Sequence, residues 1–434
     1  MLACTRGVAE NDFRVGDTCT VEPFGCTGGV ELGWAGERTL PEPTTVPHGP
    51  VAFGSGDLAG SGTDQLFVGT NSSATRLDGD GWRRSTDIWT QPDDGSYVLP
   101  RIADLTGDGA DDLILGLPGS DDGAGQVVIF PGPVREPVSW DHEPLELKGS
   151  SRAGASVSAL DVDADGALDL VASDAGGRWV RFGPVVEGLP FGDPRDARLE
   201  STETAPMGSL SLHTDVTGDG VIDVVMEVHA GLGNACDASR PQLRVLPGPL
   251  AAGTWHPEHA TIYLEPPEAW TWDLLQVTDV NADGHADVLV WGNLHEGSQH
   301  VWVYPGPVSH GDAPAWRFAS FGTPGPVADF DGDGHADMLE RDVTLWDFLQ
   351  EPDTGALRQL AVAGVLAGPL DSQPEAYPDC RHTLREVWLQ ESASSLNEAF
   401  WWGDLDGDGR TDAAFATTGG DDQGLVQLVL SSER

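Results

Sequence analysis

Aspartates in this chain recur at a spacing that can hold a metal ion. A nine-residue phrase, Asp-x-Asp-x-Asp-Gly-x-x-Asp in its fullest form, brings side-chain oxygens at positions 1, 3, 5 and 9 together, and a backbone carbonyl near position 7 can join them. Glycine at position 6 permits a sharp bend that a residue with a Cβ adopts only at a cost. Hard oxygen donors in a flexible loop select calcium over transition metals, and over magnesium, which demands near-octahedral geometry. The second phrase offers Asp104, Thr106, Asp108 and Asp112, and the third Asp161, Asp163, Asp165 and Asp169. Asp215, Thr217, Asp219 and Asp223 form the fourth, and Asp279, Asn281, Asp283 and Asp287 the fifth. The sixth holds Asp329, Asp331, Asp333 and Asp337, and the seventh Asp404, Asp406, Asp408 and Asp412. One such phrase could be a bare acidic turn. Six with Asp at positions 1, 5 and 9 argue for calcium, about six ions in all.

The copies are graded. Asp163, Asp331, Asp406 and Asn281 give position 3 a strong oxygen donor, whereas Thr106 and Thr217 give it a neutral hydroxyl. The first phrase, Asp57 to Gln65, has Ala59, Ser61 and Gln65 in the ligand positions and Asp64 one place out of frame, so it is expected to bind no ion. With millimolar calcium and a Kd of about 10⁻⁴–10⁻³ M, each site adds roughly 0.4–1.4 kcal/mol by mass action. Such calcium is structural. Asp329, Asp331, Asp333, Gly334 and Glu340 also satisfy an EF-hand pattern, but Val327–Phe330 and Met338–Arg341 are too short for its helices.

What positions these loops is strand. Starts of successive phrases lie 47, 57, 54, 64, 50 and 75 residues apart, one supersecondary unit each with loop insertions. Behind the loops run Leu113-Ile-Leu-Gly-Leu117, Leu170-Val-Ala-Ser173, Val224-Val-Met226 and Val288-Leu-Val-Trp291, short apolar runs bounded by turn residues. A second phrase ends another strand in each of several units: Pro131-Gly-Pro133, Gly183-Pro184, Pro247-Gly-Pro249, Pro305-Gly-Pro307 and Gly368-Pro369. Proline cannot donate to the next ladder bond, so each marks a strand end. The chain is therefore expected to be all-β: a seven-bladed β-propeller of four-stranded antiparallel blades over 47–434. Residues 1–46 carry no repeat and are expected to be a leader, part of which adds a strand closing the last blade.

The phrases resemble those of the FG-GAP (VCBS-type) repeat proteins, which include the N-terminal propeller of integrin α-subunits. Gly154 to Asp161 looks like the family's lead-in strand, Phe53-Gly54 like its FG pair, and Gly116 to Gly125 like its GAP segment. The resemblance covers about residues 50–434. It implies a seven-bladed propeller with calcium loops on one face and ligand binding commonly on the other. The degenerate first loop, the long stretch between Asp337 and Asp404, and the absence of an Arg-Gly-Asp sequence or companion domain set this chain apart from an integrin.

Composition narrows the partners. In 434 residues, 23 Lys and Arg face 70 Asp and Glu, a formal net charge of −47. Nucleic acid needs cations against phosphate, and Lys148 is the single lysine. A basic membrane-binding face is missing too, as is any apolar run of about 18 residues. Carboxylates phased into loops, rather than spread evenly, make divalent cations the missing positive charge. Cys4, Cys19, Cys26, Cys236 and Cys380 contain no Cys-x-x-Cys. The start Met1-Leu-Ala-Cys4 looks like the end of a bacterial lipobox, so Cys4 is either a lipid anchor or a plain cysteine. The other four suit disulfides in an oxidising compartment. Scarce lysine also points to a GC-rich bacterial genome.

Catalytic signatures are lacking: no Gly-x-Ser-x-Gly, P-loop or dinucleotide fingerprint occurs. His295 and His300 are five apart, which fails the i, i+4 spacing of a helical zinc site, and His256 and His259 flank a proline. Trp255, Trp270, Trp272, Trp401 and Trp402 could line a sugar-binding surface or fill blade cores. The leading expectation is a non-enzymatic, calcium-stabilised, monomeric propeller at the bacterial surface or in the periplasm, binding a protein or glycan. A polysaccharide- or phosphodiester-cleaving enzyme on the same scaffold is the alternative, and a purely structural envelope protein the third reading.

Overall fold

The computed structural model describes residues 50–70, 72–78, 84–90, 98–202, 207–228, 242–265, 267, 271–294, 299–320, 323–330, 336–341, 399–405 and 411–418. It also describes the backbone of the strands Leu2–Cys4, Thr18–Val21, Val30–Gly33, Thr44–Val46, Leu349–Gln350, Leu357–Arg358, Ala361–Leu366, Leu384–Gln390 and Gly424–Val429. The side chains of all five cysteines lie outside this set, and with them the expected disulfides and the Cys4 anchor.

Each Asp phrase joins the first two strands of its own antiparallel sheet. In the first sheet Pro50–Gly56 runs into Gln65–Thr70, then Ser73–Asp78 and Arg84–Thr90. The second comprises Leu99–Ala103, Asp112–Leu117, Gln126–Phe130 and Leu145–Lys148. Val157–Leu160, Asp169–Asp174, Gly177–Arg181 and Ala197–Glu200 build the third, which gains a parallel edge strand, Gly253–Trp255, from the next unit. The fourth pairs Met207–Thr214, Asp223–Val228, Gln242–Leu246 and Ile262–Leu264, the fifth Thr271–Thr278, Asp287–Asn293, Gln299–Tyr304 and Trp316–Ser320. Thr323–Ala328, Asp337–Arg341, Ala361–Leu366 and Leu384–Gln390 follow. Glu340 thus sits in a strand opposite Pro324, not in an EF-hand helix.

The last sheet takes its fourth strand from the start of the chain. Ala399–Gly403, Asp412–Thr418 and Gly424–Val429 are completed by Thr44–Val46, with Val46 opposite Gly424 and Thr44 opposite Val426. The expected closing strand is there, and it leads within four residues into the first sheet. Such a seam covers a sheet edge that would otherwise be unpaired.

Core clusters form between successive sheets from the first to the sixth, so the second to the fifth are covered on both faces. Leu58, Phe67, Ile88 and Trp89 pack against Leu113, Leu115, Phe130 and Val134. Leu105, Ile114 and Val127 meet Val157, Leu170 and Ala172 across the next gap. Equivalent clusters link the third to the fourth sheet, the fourth to the fifth and the fifth to the sixth. Two-sided burial explains why second strands such as Asp112–Leu117 and Asp223–Val228 are buried at every position and read as unbroken apolar runs.

Candidate metal centres

The position-1 carboxylate organises each loop. In the second, Asp104 Oδ1 accepts the N–H of Asp108 at 3.0 Å and Oδ2 that of Gly109 at 2.9 Å. Asp161, Asp215 and Asp279 do the same for Asp165 and Gly166, Asp219 and Gly220, and Asp283 and Gly284. Position-5 Oδ1 then takes the N–H of position 7, at 2.9 Å for Ala110, Val221 and His285 and 2.8 Å for Ala167. Position-6 glycines take up φ of 88–91° at Gly109, Gly166, Gly220 and Gly284, where only glycine is unstrained.

Position 4 is also left-handed, with φ of 75° at Gly107 and 77° at Gly218 but 62° at Ala164 and 58° at Ala282. A Cβ in this region costs about 1 kcal/mol. Ala164→Gly should therefore stabilise the protein by about 0.5–1 kcal/mol. Equilibrium urea unfolding checks this, and an unchanged or lower midpoint would contradict the strain argument.

Ligand oxygens of Asp161, Asp163 and Asp169 all lie within 4.8 Å of one another, a donor set suited to a hard dication. Burial raises the Asp163 carboxyl, and its neighbours Asp165 and Asp161 push the same way. Position 3 is weaker elsewhere: Thr106 donates its hydroxyl to Asp112 Oδ1 at 3.3 Å and Thr217 donates to Asp215 Oδ1 at 3.4 Å. Asn281 takes the N–H of Asp283 on Oδ1 at 2.9 Å, while its own amide donates to Asp283 Oδ2 at 3.0 Å. Asp331, Asp333, Asp406 and Asp408 lie outside the described residues; Asp329, Asp337, Asp404 and Asp412 lie within them.

Position 9 does more than its spacing reveals. Asp112, Asp169, Asp287, Asp337 and Asp412 are 0% exposed and Asp223 1%. Oδ2 accepts the backbone N–H of position 2 in six loops, from Leu105, Val162, Val216, Val280, Phe330 and Leu405, at 2.8–3.0 Å. Oδ1 reaches across its own sheet to the glycine of the Gly-Pro phrase: Gly132, Gly183, Gly248 and Gly306, at 2.7–3.0 Å. The residue after that proline then bonds to the preceding unit, with Val134 donating to Leu58 O, Val185 to Leu105 O, Leu250 to Val162 O and Val308 to Val216 O. A Cβ on any of the four glycines would strike a backbone carbonyl, that of Asp111, Leu168, Ile222 or Ala286. The two phrases form one clasp from loop to strand end to neighbouring loop.

Burial raises the carboxyls of Asp112, Asp223 and Asp287, and that of Asp169 to about 6, against the opposing pull of their N–H donors. A raised carboxyl favours the protonated fold, so its contribution to stability falls as pH rises from about 4 to 6. A cation must displace that proton. The rise in unfolding midpoint on adding calcium should be small at pH 5 and largest above about pH 6.5. Melts at both pH values check this, and an increment that shrinks with pH would contradict it.

Residues 279–339, spanning the fifth Asp phrase and the sixth, match the FG-GAP-like repeat. That segment is an FG-GAP-like repeat. Curated proteins give no match. Among solved structures, an Agrocybe aegerita lectin that recognises non-reducing terminal N-acetylglucosamine is similar at 14% identity and a TM-score of 0.42, over 87% of this chain and 88% of the lectin. The WD40 domain of Toxoplasma gondii coronin is similar at 10% identity and a TM-score of 0.46, over 89% and 84%. The Dos1 propeller is similar at 9% identity and a TM-score of 0.47, over 89% and 95%.

The histidines and tryptophans of this chain divide by burial. His256 and His259 stack at 5.6 Å, and His259 Nδ1 is occupied by the His256 N–H at 2.9 Å. His300 lies in a strand at 1% exposure, and His295 is outside the described residues. Trp272 is core, Trp255 donates its indole N–H to Ala251 O, and Trp402 is 42% exposed. The side chains of Trp270 and Trp401 lie outside the described set. Among the described residues, no helix is long and apolar enough to cross a membrane.

Proposed function

We propose that this chain is a seven-bladed, calcium-stabilised binding propeller that works outside the cytoplasm, recognises a protein or glycan, and performs no catalysis. The carrying observation is the converging oxygen set of Asp161, Asp163 and Asp169, with the same loop scaffold repeated around Asp104, Asp215 and Asp279. Loops of this affinity class fill only in millimolar calcium, which favours a compartment outside the cytosol. Burial argues against acid–base use of the Asp169 carboxyl, raised to about 6. Asp169 is 0% exposed and bonded to two backbone amides, beyond reach of a substrate.

Incubating the protein in 1 mM calcium with immobilised glycans and cell-surface extracts, and in parallel with soluble polysaccharides and phosphodiesters, tests this reading. The expected result is retention that EGTA reverses, without turnover. Product release above the uncatalysed rate would replace it with the enzymatic alternative.

A further inference from the structure

The first Asp phrase lacks the carboxylates that all its siblings carry at positions 5 and 9, yet its loop keeps their shape. Asp57 accepts the N–H of Ser61 at 2.7 Å and of Gly62 at 2.6 Å, as position 1 does elsewhere. Gly60 and Gly62 retain left-handed φ of 64° and 80°. The all-aspartate loop gathers the oxygens of Asp161, Asp163 and Asp169 with no side-chain donor between them. Here a side-chain amide occupies that place.

Gln65 stands at position 9, and the two ends of its amide divide two tasks. Its Oε1 accepts the N–H of Ala59 at 3.3 Å, the position-3 amide that Asp112 and Asp223 hold through Oδ2 at 2.8 and 2.9 Å. Its Nε2 donates to Asp57 Oδ1 at 3.3 Å, to Ser61 Oγ at 3.1 Å and to the carbonyl oxygen of Thr63. Those three acceptors are positions 1, 5 and 7, the oxygens that converge on a cation in a complete loop. Glutamine is one methylene longer than aspartate, so its terminal nitrogen reaches the loop interior, which a position-9 aspartate leaves to the ion. Charge agrees: one carboxylate and two neutral oxygens suit a neutral amide donor, whereas three carboxylates need a dication.

We propose that the Gln65 side-chain amide is a built-in replacement for the cation, so that the first blade holds its loop without calcium while the other loops depend on it. The contrast with the siblings rests on the calcium reading above. Position in the ring gives the device a use. The first sheet follows directly on Thr44–Val46, the strand that completes the last sheet. The blade beside the seam is thus the one whose loop does not loosen when calcium falls, and calcium regained refills loops on a ring held shut there.

Hydrogen exchange with mass spectrometry, on the full chain with 2 mM calcium and after metal removal, tests this. Calcium should slow exchange of residues 161–169 at least about tenfold and that of 57–65 less than about twofold. Equal slowing of both segments would overturn the proposal. If neither responds, the calcium reading fails, and the amide's role is decided by Gln65→Met in metal-free buffer. Loss of the donor should speed exchange at Ser61 and Gly62 about tenfold, and an unchanged rate would overturn it. The converse variant, Ala59→Asp with Ser61→Asp and Gln65→Asp, should make 57–65 respond to calcium as 161–169 does. A segment that stays indifferent with four carboxylates in place would show that something other than Gln65 excludes the ion.

Discussion

Stripping calcium from the protein should lower its unfolding midpoint by on the order of 10 °C, and magnesium should not restore it. Six sites at roughly 0.4–1.4 kcal/mol each sum to several kcal/mol, the size of a whole domain's stability margin. Coulomb repulsion adds to the loss. Removing the ions returns the clustered carboxylates to a chain whose formal net charge is already −47. The third, fifth, sixth and seventh loops should contribute most, since Asp163, Asn281, Asp331 and Asp406 offer position 3 a strong oxygen donor where Thr106 and Thr217 offer a hydroxyl. Magnesium fails because the loop's carboxylates and carbonyl cannot close into a small octahedron around it. Differential scanning calorimetry in 2 mM calcium, in EGTA, and in EGTA with excess magnesium checks all three statements. Coincident midpoints would reduce the loops to acidic turns and remove calcium from the account.

Much of the architecture is legible in the sequence because its signals are local. Asp-x-x-Gly-Asp-Gly fixes a bend, and Leu113–Leu117 or Val288–Val290 behind it alternate between two buried faces, so strand–loop–strand follows within about twenty residues. The seam was within reach as well, since a last unit short of one strand needs a donor and Thr44–Val46 stands just ahead of the first repeat. The clasp is not local. Asp112, Asp169, Asp223 and Asp287 meet their glycines at separations of 20, 14, 25 and 19 residues, so no fixed spacing announces the contact. Co-occurrence is the available signal: the four units whose Gly-Pro phrase is described all have Asp at position 9, and the first unit has neither. The parallel strand Gly253–Trp255 leaves no trace in sequence, for an edge strand of three residues carries too few side chains to show a period. Gln65 reads as a degenerate ligand, and only the positions of its two amide ends reveal an occupant.

Two aspartates of one loop should separate the roles that the spacing merges. Asp223→Ala costs about 3–5 kcal/mol whether or not calcium is present, while Asp219→Ala costs less than about 1 kcal/mol in chelator. Asp223 is buried, and its two oxygens accept the N–H groups of Val216, Thr217 and Gly248. Truncation strands three amides in the interior at about 1–3 kcal/mol each, less whatever water recovers. It also releases the clasp, because Gly248 no longer holds the segment from which Leu250 reaches Val162 of the preceding unit. Asp219 is exposed and accepts the single N–H of Val221, which solvent can replace. Its loss should instead remove one calcium from the total counted by equilibrium dialysis and shrink the calcium-dependent rise in midpoint by about one sixth, given six sites of similar affinity. Equal destabilisation of the two variants in EGTA would mean that position 9 holds nothing but the ion. A calcium count unchanged by Asp219→Ala would take position 5 out of the ligand set.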